Sequence, residues 1–599
     1  MTVPTAPDLW HDSRRLTGAN VFMERCGAVL DVPIDAADAD IALALWTKHV
    51  TAMLRAVGWR GEQVHSRRWP GGASLAISAP FDALFAATDV NEWAWRAACR
   101  DIGRDTGAPG LSPGAVPATF DAAAKHLTAL IAAERSAPLE ALARVAASFG
   151  VPLVVDDEVV SLGAGSGGTR SWLRAALPRP DSVEWDDLGD IPVALVTGSN
   201  GKTTSVRLVA AMITAAGRRA GLSSTDGVMI AGEYVTRGDW SGPQGARTVL
   251  RDGRVDVAVL ETARGGLLRR GLAVDRADAA LITNVAADHF GEYGVHDLAS
   301  LADVKLTVAR VLGDHGRLVL NADDATLVSR ASEVRAAITW FTLDRTNPFV
   351  VAHLAAGGTA AVVDGDALVL VHGRRRAIEV PVRDVPITLG GAAQHNVANA
   401  LGALALGAAL GLPPDAIVAG LTGLRGTTVD NPGRMNLFEL GGVRAIIDYA
   451  HNPHGIAALM AAVRALAPRR TLLLVGQPGN RDDAGIRGAA RAAWTATPDM
   501  IVVKELDQHL RGRAAGEVSA MLRDELRAAG APPERVTAID DELAAVAWAL
   551  EWAQPGDVLA LTVHGHRDRA IALLAGLVDA GWRAGDPVPR SAAIPDPGD

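Results

Sequence analysis

Eight residues constrain this 599-residue chain more than any other stretch: Thr197-Gly198-Ser199-Asn200-Gly201-Lys202-Thr203-Thr204. They follow a β-branched run, Val193 to Thr197, and precede Val206, Val209, Ala210 and Ile213 at helical spacing, closed by Gly217. Strand, glycine turn and helix together turn backbone amides toward a phosphate, and the helix start adds positive potential. In such a turn Lys202 reaches the β and γ phosphates of ATP, and the Thr203 hydroxyl ligates Mg²⁺. Gly198, Ser199, Asn200, Gly201 and Thr204 complete the candidate cradle. A strict Walker A string would carry Gly where Val196 stands, so this is a shortened form. Tight strand-to-helix packing is the competing reading, and Lys-Thr-Thr in register weighs against it.

Strand-like runs recur at Val255 to Leu260 and Ala279 to Thr283, separated by helical patterns, which predicts a mostly parallel sheet covered by helices. An open sheet of this kind gathers ligands at its strand ends. Glu261, Asn284 and the pair Asp288-His289 fall there, so Glu261 and His289 become candidate metal ligands. Glu261 as a helix-start charge, and His289 as an ordinary loop histidine, stay open. A Pro- and Asp-rich stretch between Leu177 and Pro192 marks one boundary, and Asn431-Pro432-Gly433 marks a second. Beyond it, Arg444 to Asp448, Leu472 to Val475, Ile501 to Lys504 and Val558 to Val563 predict a separate Rossmann-like α/β unit. The expected division is 1–188, 189–430, 431–585 and a loose tail from 586 to 599. The fold class is α/β, with a central P-loop domain, a C-terminal Rossmann-like domain and a separate α+β N-terminal domain.

Composition narrows the function. With 49% apolar and 21% charged residues the chain can bury several cores. Its net charge of -10 provides no broad attraction to nucleic acid or an anionic membrane. Cys26 and Cys99 form no disulfide framework or metal spacing, and Met1 to Asp12 lacks a signal segment, so a cytoplasmic setting is expected. Ala400 to Leu412, the most apolar run, is too short to span a bilayer and reads as a buried helix.

Further blocks carry a resemblance. They are Ser224-Thr225-Asp226-Gly227, Gly238-Asp239-Trp240-Ser241-Gly242-Pro243 with Ala246-Arg247, and Leu260-Glu261-Thr262-Ala263-Arg264-Gly265-Gly266-Leu267-Leu268-Arg269. Then come Thr283-Asn284-Val285, Asp288-His289, Asn321-Ala322-Asp323-Asp324, and His395-Asn396 with Asn399-Ala400. Pro432-Gly433-Arg434-Met435, Asp448-Tyr449-Ala450-His451-Asn452-Pro453 and Leu510-Arg511-Gly512-Arg513 complete the set. Over Pro192 to Leu573 the chain resembles the Mur ligase superfamily, most closely the Mur-like half of cyanophycin synthetase, without that enzyme's ATP-grasp domain.

The resemblance implies an ATP-dependent ligase that forms an amide through an acyl phosphate, with two Mg²⁺ ions. Lys202 and Thr203 would hold the triphosphate and one Mg²⁺, while Glu261 and His289 would hold a second. His395, Asn396 and Asn399 would line the adenine side, with Asn284 near the phosphates. Arg434 and Asp448 would reach phosphate and ribose. Thr225, Asp226, Arg264, His451 and Asn452 would face the substrates, a small-molecule or peptide carboxylate and an amino-acid amine. Lys305 sits where many Mur ligases carry a carbamylated lysine, and an exposed helix lysine is its plain alternative. Arg511 and Arg513 favour the cyanophycin branch, or form a surface ion-pair cluster with Glu505 and Asp507. Asn480 stands where an acidic residue is usual. The first 188 residues resemble that enzyme's N-terminal domain more weakly, at Leu16 to Asn20 and Leu162 to Gly165. There His65, Arg67, Arg68, Trp69, Trp93 and Trp95 contact a polymer or simply pack a core. Two other readings stay open: a non-catalytic or regulatory ATP-binding partner of a separate cyanophycin-type synthetase, and a ligase adding glutamate to a small acid. Homo-oligomerisation is undecided at this level.

Overall fold

In a computed structural model of the chain, residues 9–104 and 116–588 are described. The N-terminal part opens with a four-stranded antiparallel sheet, ordered Asp12–Leu16, Gly27–Pro33, Gly72–Ser78, Val64–Trp69. Helices Ala39–Ala56 and Leu84–Asp101 cover it, burying Trp46, Trp93 and Trp95. Trp93 and Trp95 are therefore core residues, whereas Trp69 ends its strand half-buried at the rim. Two helices and a three-stranded sheet, Leu153–Val155, Val159–Gly163 and Thr169–Leu173, lead toward the phosphate loop. The Gly163 to Gly168 stretch there packs backbone on backbone. A Cβ on Gly168 would lie 1.9 Å from the Asp187 carbonyl oxygen, so no larger residue fits.

The middle sheet has eleven strands. Its centre runs Ala220–Ser224, Val257–Glu261, Val193–Thr197, Ala277–Ile282, Leu312–Asn321, Ala337–Thr342, Thr359–Asp364, all parallel. Antiparallel hairpins finish both edges. Val193–Thr197 is buried along its whole length because helices cover both faces, which is why it reads as an unbroken apolar run. The expected strand Val255 to Leu260 begins two residues later, because the Val255 amide closes a turn onto Asp252, and it takes in Glu261. The apolar run from Ala400 lies in the buried helix Gln394–Ala409, which stops before Leu412 as Gly411 turns to φ 71°.

The last sheet is ordered Asn436–Leu440, Val443–Asp448, Val558–Thr562, Thr471–Val475, Met500–Val503, Val536–Ala538, parallel except for the first pair. The expected tail overlaps this lobe at its start, where the Asp586 carbonyl accepts a bond from Trp582 Nε1 at 3.1 Å; beyond 588 it lies outside the described residues. Among the described residues no helix is long and apolar enough to cross a membrane.

Candidate active site

Sheet order builds the site. Strand Val193–Thr197 sits between Val257–Glu261 and Ala277–Ile282, with Glu261 opposite Val196 and Ile282 opposite Thr197. The glycine turn, Glu261 and the Thr283-Asn284 corner therefore emerge side by side at one edge. Thr283 Oγ1 and Asn284 Nδ2 both donate to the Asn200 carbonyl, at 2.6 and 3.1 Å, and the Asn200 amide donates to Asn284 Oδ1 at 3.1 Å. These bonds fix the turn. Gly198 and Gly201 hold φ 148° and 84°, and a Cβ at either would strike Thr283 Oγ1 or Asn399 Oδ1 at about 2 Å. The turn is thus shaped by its neighbours, with the helix Lys202–Ala215 starting directly behind it.

Glu261 is 2% exposed and makes no ion pair among the described residues. Its carboxylate accepts from Thr203 Oγ1 at 2.8 Å and Thr225 Oγ1 at 2.9 Å. The Thr225 amide adds a longer bond at 3.4 Å, but a buried carboxylate with no cationic partner remains costly without a cation. Carboxylate and hydroxyl oxygens form the hard donor set that a divalent ion such as Mg²⁺ prefers, so this corner fits one. His289 lies in a second group. Its ligand-forming atoms and those of Asp288 and His451 lie within 4.8 Å of one another. Burial pushes His289 down to about 3, with the Arg481 and Arg264 cations adding to the effect. Burial alone would raise Asp288, but Arg481, 2.5 Å away, and the neighbouring histidines hold it well below the usual carboxylate range. Glu261 and His289 thus belong to different clusters on one cavity wall.

Lys305 is 2% exposed, which overturns its reading as an exposed helix lysine. It lies in the last turn of helix Leu298–Leu306, and burial together with the Lys202 charge pulls its pKa well below the ordinary lysine value. A buried amine of that kind favours the uncharged form.

Two cavities meet at this edge. One, of about 580 Å³, runs past His395, Asn396 and Asn399 to Arg434 and Asp448. The other, of about 1560 Å³, opens toward Arg264, His289 and Lys305. Ser199, Lys202, Thr225 and Glu261 border both. In the smaller cavity Asn399 Nδ2 donates to Asn396 Oδ1, whose own amide is tied to the Ile387 carbonyl. Burial lowers His395 to about 4, leaving a neutral ring.

The last lobe closes over this edge through named contacts. Asp226 receives Arg567 at 2.5 Å, Arg207 at 3.2 Å and Arg434 at 3.8 Å. Burial would raise Asp226, yet these three guanidinium groups hold it below its ordinary value. The Asp448 carboxylate accepts from the Met435 and Ala450 amides, so it fixes the turn around Arg434. Arg434 in turn lies over the Tyr449 ring, 4.9 Å from its centroid. Asn452 caps the helix Pro453–Ala465 and donates to Asn200 Oδ1 at 3.0 Å. Its side chain thus joins the two lobes. Arg264 pairs with Glu292, and Asn480 donates to the same carboxylate at 3.4 Å. Arg513 pairs with Asp483 and Glu517, not with Glu505 or Asp507, because its side chain lies along the following helix.

Sequence reasoning missed Arg207, Arg481 and Arg567. Arg481 lies beside Asn480 in the block that departs from the family pattern, and Arg567 follows the strand Val558–Thr562. Position after a parallel strand was the available signal for Arg567.

Residues 196–407 match the Mur ligase middle domain, and residues 433–565 match the Mur ligase, glutamate ligase domain. Cyanophycin synthetase of Trichormus variabilis is 38% identical over 392 residues, covering 65% of this chain and 43% of that protein. Cyanophycin synthetase of a Synechocystis species is 39% identical over 332 residues, 55% of this chain and 38% of the other. The chain thus spans less than half the length of these relatives. UDP-N-acetylmuramoyl-L-alanyl-D-glutamate–2,6-diaminopimelate ligase of Corynebacterium glutamicum is 28% identical, covering 69% of this chain and 75% of that one. A solved bifunctional folylpolyglutamate synthase/dihydrofolate synthase, with Mn, AMPPNP and L-glutamate bound, is 22% identical with a TM-score of 0.48, covering 65% and 89%. With its middle and last lobes matched in order over more than half of its length, the chain belongs to the Mur ligase family of ATP-dependent amide-forming ligases.

Proposed function

We propose that this chain joins an acidic substrate of aspartyl type, related to the chemistry of cyanophycin, to the amino group of an amino acid. The observation that supports this most is the meeting of two cavities at Lys202 and Glu261. One suits a nucleotide, and the other has room for an acid and an amine beyond the terminal phosphate.

In this reading the 198–204 turn cradles the phosphates, and His395, Asn396 and Asn399 border the base. Thr203 and Glu261 hold one Mg²⁺, and His289 with Lys305, carbamylated, completes a second. The metal supplies neutralisation of charge on the phosphoryl oxygens. Lys202 and Arg434 stabilise the negative charge that builds there, while the substrate carboxylate oxygen bonds to the γ-phosphorus and ADP departs. The amine nitrogen then attacks the acyl carbon, inorganic phosphate leaves, and the ammonium proton passes to solvent. Asp226 with Arg567, and Asn200 with Asn452, keep the last lobe closed so that water does not intercept the anhydride.

The test is to incubate the chain with ATP, Mg²⁺, aspartate or aspartyl peptides and a panel of amino acids, following phosphate release and product mass. A new amide mass is expected. Phosphate release without any amide product across the whole panel would count against the reading. Glu261→Ala is expected to raise the Mg²⁺ concentration for half-maximal rate by ~10-fold or more. An unchanged Mg²⁺ titration would remove Glu261 from the metal's ligands.

A further inference from the structure

The segment from Asp288 to His296 connects the two side chains assigned above to the second metal ion. It follows the strand Ala277–Ile282, carries His289, and runs into Asp297, whose carboxylate caps the helix Leu298–Leu306 that holds Lys305. Its backbone is unusual. His289 and Tyr293 both stand at φ 53°, where a residue other than glycine is rare, and Gly291 and Gly294 stand at 89° and 69°. Within the loop, the Gly291 amide donates to the Val295 carbonyl at 2.8 Å and the Val295 amide to the Glu292 carbonyl at 3.1 Å. A turn built this way persists only where its surroundings over-determine it.

Most of those surroundings belong to the N-terminal lobe. From the strand Val64–Trp69, Arg67 Nη2 donates to the Tyr293 and Gly294 carbonyls at 3.3 and 3.4 Å, while its Nε and Nη1 are buried without a hydrogen-bond partner. Among the described residues the loop thus takes every hydrogen bond this guanidinium makes. Trp69, at the end of the same strand, stacks on His296 with centroids 5.4 Å apart and planes inclined by 25°. A Cβ on Gly294 would lie 2.5 Å from Trp69 Cδ1, so the indole rests directly on the loop backbone. The indole is itself held in place. Its Nε1 donates to Ser74 Oγ at 3.3 Å, and that hydroxyl donates to Asp31 at 2.5 Å. Asp31 also pairs with Arg14, whose guanidinium lies 4.7 Å from the centroid of the Tyr293 ring. From the middle domain, Arg264 pairs with Glu292.

Resting on the ligase reading above, with His289 and Lys305 at its second metal, we propose that Trp69, Arg67 and Arg14 are positioning residues for that metal. They hold the 288–296 loop in the turn that presents His289 and, through Asp297, set the start of the helix that carries Lys305. The N-terminal lobe then contributes to the metal centre without supplying a ligand to it.

Two measurements on the full chain test this without turnover: hydrogen–deuterium exchange, and Mn²⁺ titration in the presence of AMPPNP, with the free ion followed by paramagnetic resonance. Trp69→Ala and Arg67→Gln, each checked for fold by circular dichroism, should speed exchange of the Gly291 and Val295 amides by roughly tenfold, with the strand Ala277–Ile282 unchanged. Both variants should weaken one Mn²⁺ ion by roughly three- to tenfold and leave the other as it is. His289→Ala should weaken the same ion. Trp69→Phe keeps a stacked ring and should stay within about twofold of the unmodified chain in both measurements. Arg67→Gln and Trp69→Phe carry the test if Trp69→Ala does not fold. Unchanged loop exchange in the folded variants would overturn the proposal, as would exchange that rises equally across the middle sheet, the mark of general destabilisation. So would faster loop exchange with unaltered Mn²⁺ affinity in a chain whose His289→Ala variant does lose an ion. Faster loop exchange beside unaltered Mn²⁺ binding in His289→Ala keeps the grip on the loop and sinks the metal reading.

Discussion

Lys202→Ala is expected to lower ATP-dependent amide formation by at least ~10³-fold while leaving the fold intact. The residue begins the helix Lys202–Ala215, and its ammonium lies 3.3 Å from the Ser199 carbonyl, folded back over the turn. It borders both cavities, where the proposed reaction places the terminal phosphate. Alanine is a better helix former than lysine by a small margin, so the substitution removes charge without breaking local structure. Phosphate release and product mass, set beside a circular dichroism spectrum, check both halves. Wild-type turnover in a folded Lys202→Ala protein would displace the phosphate site from this turn.

Asp226→Asn is expected to have the largest effect on stability. The carboxylate is buried among Arg207, Arg434 and Arg567, two of which come from beyond the second sequence boundary. Removing its charge leaves three guanidinium groups facing one another, a loss of about 3–5 kcal/mol for a buried ionic cluster. Thermal unfolding should move to lower temperature, and the lobe that carries Arg567 should become easier to cleave by protease. The pH dependence has a definite sign. Because the folded-state pKa of Asp226 lies below its unfolded value, its contribution is complete above about pH 4, near the unfolded carboxylate value, and disappears as pH falls through the folded value. Asp226→Asn should therefore flatten that part of the acid limb. An unchanged melting temperature together with an unchanged acid limb would show that the cluster does not hold the lobes together.

The phosphate turn and the strands around it were legible from the chain alone, since each depends on local spacing, whereas most of the other cavity residues were named only through the family resemblance. Val193 to Thr197, the helical spacing after Thr204, and Gly198 and Gly201 at positions needing positive φ carry their meaning in their neighbours along the sequence. Lys305 shows the opposite case. Its helix is visible in the sequence, but whether its amine meets water depends on what packs over that helix. The resemblance placed Asn452 toward the incoming amine; that its side chain also caps a helix and bonds Asn200 follows only from the closed arrangement of the lobes.

Residue types and their spacing determined that a glycine turn lies at the head of a parallel sheet and that a carboxylate and an imidazole follow at strand ends. Tertiary structure alone decided which of these groups meet: Glu261 with two hydroxyls, Asp226 with three arginines, Arg247 with Thr17 across 230 residues of chain. The physical reason is that dihedral and hydrophobic periodicity act over a few residues, whereas burial and ion pairing are set by the sheet order that brings distant segments together.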